Sequence, residues 1–418
     1  MVGMDRVDGG PRSAIVVGAG VVGLSTAWFL QDRGVDVKVV DRDKVAAGAS
    51  WGNAGWIAPS LTIPLNTPAV LRYAMRAMRD PLAPLHIPLR ADVGLARFLM
   101  SFAGHCTPSA WLRAARANIP LNEDAIEAFD VLLANGVDVP VTDSPITAVF
   151  DSAAQADQML AEFRHLEAAG QGVEVVELAG AELRAQVPLA STTVGAGLSV
   201  TGQRFVDPGR FVHGLADAVT SRGGATIAGT DVREVRSHGD HVTVHATGVP
   251  PIEADVAVVA TGALLPELVG PRMRTSLRAG RGYSFTVPVD RPLPTPIYLP
   301  QVRVACTPYQ GAMRVAGTME FRRPDEPAFP QRVGAIVASA AQLLDGVRWD
   351  ERSDVWVGSR PVTADGRPLI GETTRGVYVA GGHGMWGLAH GPVTGRLLAE
   401  QITTGKQPDA LREFAPLR

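Results

Sequence analysis

An apolar strand, a glycine-rich turn that runs into a helix, and a second strand ending in an acid predict an α/β fold for this 418-residue chain. The strand is Ala14-Ile15-Val16-Val17 and the turn is Gly18-Ala19-Gly20-Val21-Val22-Gly23. The helix continues through Leu24-Ser25-Thr26-Ala27-Trp28-Phe29-Leu30. The second strand, Val35-Asp36-Val37-Lys38-Val39-Val40, stops at Asp41. Far downstream, Ala254 to Gly262 reads as a buried parallel strand, and Val377-Tyr378-Val379-Ala380 runs into another glycine loop.

Each residue type in the first turn has a physical task. Gly18 permits the tight turn. Gly20 has no Cβ, so a pyrophosphate can approach the backbone. Gly23 lets the helix pack close to the strand. The helix N-terminus offers free N–H groups and a positive dipole end to phosphate. Asp41 stands where a carboxylate accepts both ribose hydroxyls. Gly34 ends the helix, where a left-handed residue is wanted. Together these residues make a Rossmann-like dinucleotide unit. The stretch Ser13 to Leu30 also has the ~18 residues of a membrane span. Three patterned glycines and the strand that follows argue against that reading.

The length predicts two or three domains, or two interleaved ones. Net charge is −3 with no basic block, so nucleic acid is not an expected partner. Cys106 and Cys306 are the two cysteines. They make no C-x-x-C, no metal set and no disulfide framework, which fits a reducing cytoplasm. The first eleven residues read as a disordered lead-in without a secretory apolar core.

After the nucleotide unit, Ala47-Gly48-Ala49-Ser50-Trp51-Gly52-Asn53-Ala54-Gly55-Trp56 is a loop of small residues suited to a flat ligand. Residues 61–135 read as helices broken by Pro81, Pro84, Pro88 and Pro108. Arg72, Arg76, Arg79, Arg90, Arg97, Arg113 and Arg116 interleave there with Leu71, Met75, Met78, Leu95, Phe98, Leu99, Met100 and Phe102. Two readings stand: a membrane-surface element, or helices packed on the substrate part with arginines in water. Ala153 to Ala169 is a helix closed by Gly170. Asp207 is an N-cap with Pro208 at the first helical position. A strand near 225–228 and a meander over 232–246 follow. Residues 278–357 are strand-rich, with a helix from Gln331 to Leu344. A last helix runs from about Leu388 to Thr403, with Gly391 and Gly395 on one face.

With these pieces in order, the chain resembles the D-amino-acid oxidase and glycine oxidase superfamily of flavoproteins, and most of all the small-subunit type of D-amino-acid dehydrogenase. The resemblance rests on the first glycine motif with Asp41, Gly52-Asn53-Ala54-Gly55, Gly282-Tyr283-Ser284, Gly317-Thr318-Met319-Glu320, Arg360-Pro361-Val362-Thr363-Ala364-Asp365-Gly366-Arg367-Pro368 and Gly382-His383-Gly384. It implies noncovalent FAD and a glutathione-reductase-type nucleotide domain built from residues 12–60, 205–270 and 358–418. The implied partner domain, 61–204 and 271–357, is α+β with a mixed or antiparallel sheet roofing the flavin and a helical insertion at about 61–135. The resemblance places Arg42, Thr261, Gly262, Gly382, Met385, Gly387 and Leu388 at the cofactor beside the first motif. Ala49, Ser50, Asn53, Ala54 and Gly55 would line the ribityl and ring region, and Val232 would meet the adenine.

The implied activity is oxidative deamination of an amino acid, with hydride passing from the α-carbon to flavin N5. The imino acid then hydrolyses to a 2-oxo acid and ammonia. Arg360 is the expected carboxylate fork. The helix beginning near Leu388 would stabilise negative charge on the reduced flavin, with Gly384 and Gly387 allowing close approach. Met319 would shape the side-chain pocket, and Tyr283 and Tyr309 are candidate hydroxyl donors. His383 is a candidate base, or a structural residue meeting the flavin through its backbone. Related oxidases carry a tyrosine where this chain reads Val304-Ala305-Cys306-Thr307-Pro308, so the usual tyrosine–arginine clamp is not expected. Sarcosine-oxidase relatives attach flavin through a cysteine near the position of Ser359. The expected electron acceptor is a quinone or O2. Alternatives are an O2-using glycine, sarcosine or D-amino-acid oxidase, and the flavin subunit of an opine or hydroxyproline dehydrogenase complex. A homo- or hetero-oligomer, cytoplasmic or peripheral to the inner membrane face through about 61–120, completes the expectation.

Overall fold

The computed structural model describes residues 9–77, 80, 83–88, 90–270 and 273–418. Met78, Arg79 and Pro81 of the predicted helical region, the Arg76 side chain and the start of the lead-in lie outside them.

A six-stranded sheet carries the nucleotide unit. Its order is Ala225–Ile227, Asp36–Val40, Ser13–Val17, Val256–Val259, Val377–Gly381 and Leu369–Thr374. The first five strands are parallel and the last is antiparallel. The central strands are apolar throughout because both faces are covered. Ala14, Val16, Val37 and Val258 face the helices Val21–Asp32, Pro208–Ser221 and Gly387–Thr404. Ile15, Val17, Ala257 and Val259 face the other way, onto the meander Val232–Ser237, Val242–Ala246 and Ile252–Ala254. The caps act as the sequence predicts. Gly34 and Gly170 are left-handed, at φ 76° and 111°, and the Asp207 carboxylate accepts the Arg210 N–H.

A nine-stranded mixed sheet faces the first. Its main path is Ser353–Thr363, Leu277–Val287, Ala312–Glu320, Val304–Tyr309, Ile297–Leu299, Ile146–Phe150, Ala196–Val200 and Val175–Leu178. Tyr283, Phe285, Val304, Cys306 and Val315 point to one side, against the helix Pro330–Ala340. By the two-residue period of a strand, Gly282, Ala305 and Ala316 point to the other. The pairing of Leu277–Val287 with Ala312–Glu320 slips between Arg281/Glu320 and Tyr283/Gly317. One extra residue on the second strand makes a bulge, and Thr318 within it has φ 60°.

The helical region packs onto this sheet. Leu95, Phe98 and Phe102 of the helix Val93–His105 bury against Met319, Phe321 and Val362. The short strand Leu85–His86 runs parallel to Met319 and Glu320. Arg72, Arg90, Arg97, Arg113 and Arg116 are exposed. Among the described residues, no helix is long and apolar enough to cross a membrane.

The helical region breaks at Pro108 as expected: Val93–His105 ends before it, and Pro108 opens Pro108–Glu123 at its first position, with Thr107 capping the Ala110 N–H. One boundary differs from expectation. The helix predicted to reach Leu344 stops at Ala340, because Leu343 and Leu344 turn back into the core beneath it.

Candidate active site

A cavity of about 690 Å³ lies between the two sheets. Two helices open into it at their N-termini. Gly20 caps Val21–Asp32 without a side-chain bond, and the first turn holds no acid. The Val21 N–H is met from outside by Ser50 Oγ at 3.1 Å. Trp386 likewise caps Gly387–Thr404 without a side-chain bond or a nearby acid. The two helices cross closely. A Cβ on Gly391 would lie 3.0 Å from Val21 Cγ2, and one on Gly395 2.7 Å from the Ser25 backbone. Both positive helix ends therefore reach the same cavity.

The loops between these ends complete a cofactor cradle. Gly18 turns at φ 115°, where a Cβ would stand 2.5 Å from the Ala260 carbonyl. Gly18, Gly20, Val21 and Val22 line the cavity with Asp41, Arg42, Ala49, Ser50, Asn53 and Ala54. Val232, Thr261, Gly262, His383, Gly384, Met385, Gly387 and Leu388 also line it. The Asp41 carboxylate is held by the N–H groups of Ala19 at 2.8 Å and Asp43 at 2.9 Å. An anion site at one helix end, a fixed carboxylate beside it, a loop of small residues and a second open helix end fit a dinucleotide with a flat ring, as FAD is.

Four predicted cofactor contacts lie behind the wall. Ala19 is fully buried and acts through its N–H on Asp41. Gly23 presses on Gly18, where a Cβ would be 2.0 Å from the carbonyl oxygen. Gly55 lets the loop pass 2.2 Å from the Val206 oxygen by the same measure, and Gly382 packs on Thr363 and Leu369. Their task is close packing, which brings the lining residues into place.

At the other end, the strand Ser353–Thr363 sends Arg360 into the cavity. Its guanidinium lies flat on Gly282. A Cβ there would be 2.1–2.3 Å from Nη2, Cζ and Nη1. Nη1 donates to the Thr318 carbonyl at 2.7 Å. No carboxylate pairs with Arg360 among the described residues, and burial pushes its pKa down to about 10. It remains a cation at neutral pH, desolvated and without a counter-ion, which is what an incoming carboxylate would supply. Met319 lines the cavity and packs on Gly280.

Two side chains are placed against expectation, and a third takes one of the two places expected of it. Tyr283 lines the cavity, but its hydroxyl is engaged elsewhere: it donates to Glu320 Oε1 at 2.7 Å and accepts the Phe329 N–H at 2.9 Å. Glu320 is fully buried among Arg281, Arg322 and Arg332. Tyr309 stacks under the Arg314 guanidinium, 4.0 Å from its ring centre, outside the cavity lining. His383 reaches the cavity, but its Nε2 bonds Thr394 Oγ1 at 2.9 Å, and burial pushes its pKa down to about 4. The ring is neutral at pH 7 and tied into the final helix.

The sequence did not single out Trp356 or Tyr298, and it carried Thr318 only as part of the motif Gly317-Thr318-Met319-Glu320, with no role of its own. Thr318 is a β-branched residue in the left-handed region, a strained conformation held by the bulge. That conformation turns its carbonyl to Arg360. Trp356 lies between Gly52 and Gly358, each of which would clash with its ring if it carried a Cβ. Tyr298 stands directly across from Ala305, on the neighbouring strand. Register alone reveals it, and the sequence carries no direct signal for register.

Comparison with known proteins places the chain in a family. The family model for FAD dependent oxidoreductases (DAO) matches residues 13–401. A D-amino acid dehydrogenase of Cereibacter sphaeroides is 31% identical over 94% of this chain and 92% of its own length. One from Granulibacter bethesdensis is 28% identical over 94% and 96%. Among solved structures, glycine oxidase from Geobacillus kaustophilus superposes with a TM-score of 0.73 at 21% identity, covering 98% of each chain. Glycine oxidase from Bacillus cereus gives 0.72 at 20%, covering 97% and 99%. The chain belongs to the DAO family of FAD dependent oxidoreductases.

Proposed function

We propose that this chain oxidatively deaminates a D-amino acid and passes the electrons to an acceptor other than O2, such as a quinone. The observation that carries the substrate class is Arg360. It is a desolvated, unpaired guanidinium that faces the cofactor cavity from a sheet of small residues. The dehydrogenase relatives support the D-configuration and the acceptor class.

FAD, when bound, supplies the two-electron acceptor for the α-hydrogen. Every other task falls to the chain. Arg360 binds the substrate carboxylate with two parallel hydrogen bonds, and Gly282 with the Thr318 carbonyl fixes the plane of that fork. The open N-terminus of Gly387–Thr404 stabilises negative charge beside the ring. Asp41 binds the ribose, and the turn at Gly18 to Gly23 binds the diphosphate. The neutral, bonded His383 takes no proton. The substrate ammonium gives its proton to solvent and reacts as the free amine, and water hydrolyses the imino acid after oxidation.

The test is anaerobic bleaching of the bound flavin by a panel of D-, L- and N-substituted amino acids. Bleaching by D-amino acids, with little peroxide formed in air, is the expected result. Bleaching by L-amino acids alone overturns the stereochemical assignment. Stoichiometric peroxide in air overturns the acceptor assignment.

A further inference from the structure

The cavity extends beyond Arg360 along a floor of small residues. Ala316 pairs across strands with Ala305, and Ala305 pairs with Tyr298. All three line the cavity. Directly paired residues share a face, so Tyr298 rises at the far end of the floor that Arg360 overhangs. Three strand spacings separate the Gly282 strand from that of Tyr298, roughly 14 Å. Two hydrogen bonds of about 2.9 Å leave roughly 8 Å for a ligand touching both ends. An amino acid with a five-carbon backbone fits that span, and alanine does not.

The far end is polar and incompletely partnered. Among the described residues, no hydrogen bond reaches the Tyr298 hydroxyl; the residue is half-buried and lies in the fields of Arg303 and Glu162. Glu162, an exposed residue on the helix Ala153–Ala169, lines the same end, and among the described residues no ion pair or hydrogen bond reaches it. Arg303 lines it too, stacked 4.9 Å over the Tyr73 ring at a left-handed φ of 54°. A terminal carboxylate would face Glu162, a like charge. A terminal ammonium would face Arg303. A carboxamide suits both, accepting from Tyr298 or Arg303 and donating to Glu162.

We propose that Tyr298, Glu162 and Arg303 form the side-chain subsite and select an amino acid of glutamine length ending in a carboxamide. This rests on the amino-acid reading above and deepens it. The groups discriminate because a site built to hydrogen-bond one end rejects an analogue that leaves it unpaired.

The experiment is calorimetric titration of the FAD-loaded protein with three ligands that lack an α-amine and cannot be oxidised. These are glutaramate, glutarate and 5-methylhexanoate, which share the carboxylate and differ at the far end. Glutaramate is expected to bind about tenfold or more tightly than either of the others. In Tyr298→Phe and Glu162→Gln, both near-isosteric, that ratio is expected to fall to within about threefold. Equal or tighter binding of glutarate or 5-methylhexanoate overturns the proposal. So does a ratio that neither substitution changes. The readout is binding alone. If the preference holds while no amino acid bleaches the flavin, the deamination reading fails and the subsite stands.

Discussion

Replacing Gly282 with alanine tests whether Arg360 depends on the bare backbone beneath it. The backbone at 282 is not left-handed, so alanine can adopt it. The added methyl would lie 2.1 Å from Nη2 and 2.2 Å from Cζ. A comfortable contact is about 3.5 Å, so the guanidinium must retreat by roughly 1.3 Å. It cannot do so and keep its 2.7 Å bond to the Thr318 carbonyl. A misplacement of about 1 Å costs on the order of 10²-fold in rate, or about 2.7 kcal/mol of transition-state stabilisation. Stopped-flow flavin reduction under anaerobic conditions should show kcat/KM down by about that factor. FAD content should be unchanged, because the cradle lies at the other end of the cavity. A variant with parental kcat/KM would refute the claim that Gly282 seats the arginine.

Other perturbations follow from the same geometry. Arg360→Ala should raise KM for amino acids by about 10²-fold or more while FAD stays bound, since two charge-assisted bonds are lost; a near-parental KM would remove Arg360 from the site. His383 and His390 are buried as neutral rings, their pKa values lowered by burial to about 4 and about 3. The unfolded chain binds these protons below pH ~6.5 and the folded chain does not, so stability is lost as pH falls from there toward 4, by about 1.4 kcal/mol per unit for each ring. Thermal midpoints measured across that range should decline less steeply in His390→Gln, and an unchanged slope counts against the assignment. With Ser359 in place of a cysteine, acid precipitation should leave a colourless protein pellet and free yellow FAD. Gly395→Val should cost about 1–3 kcal/mol in denaturant titrations by forcing the crossing helices apart; a neutral result would mean that the crossing yields freely.

The parts of the fold legible in sequence were those with local causes. The turn at Gly18, the left-handed caps at Gly34 and Gly170, and the Asp207 cap each depend on a few adjacent residues. The alternation of Ile15 and Val17 against Ala14 and Val16 is likewise local. The pocket floor was not legible, because it depends on register between distant strands. Tyr283 and Gly282 are neighbours in sequence, yet strand parity puts one hydroxyl with Glu320 and the other backbone under Arg360. Tyr298 reaches the cavity only because it pairs with Ala305. Thr318 looks like an ordinary strand residue until the bulge is seen.

The chain returns to its first sheet from opposite ends of the sequence, and this constrains how the molecule can be made. Ser13–Val17 needs Val256–Val259 beside it, and Val256–Val259 needs Val377–Gly381. During synthesis the early strands wait for partners hundreds of residues away, a high-contact-order arrangement that folds slowly. The cofactor pocket cannot close until the helix Gly387–Thr404 has left the ribosome. A chain cut near residue 365 would therefore present Val256–Val259 as an unpaired apolar edge and aggregate, even with its whole glycine motif intact.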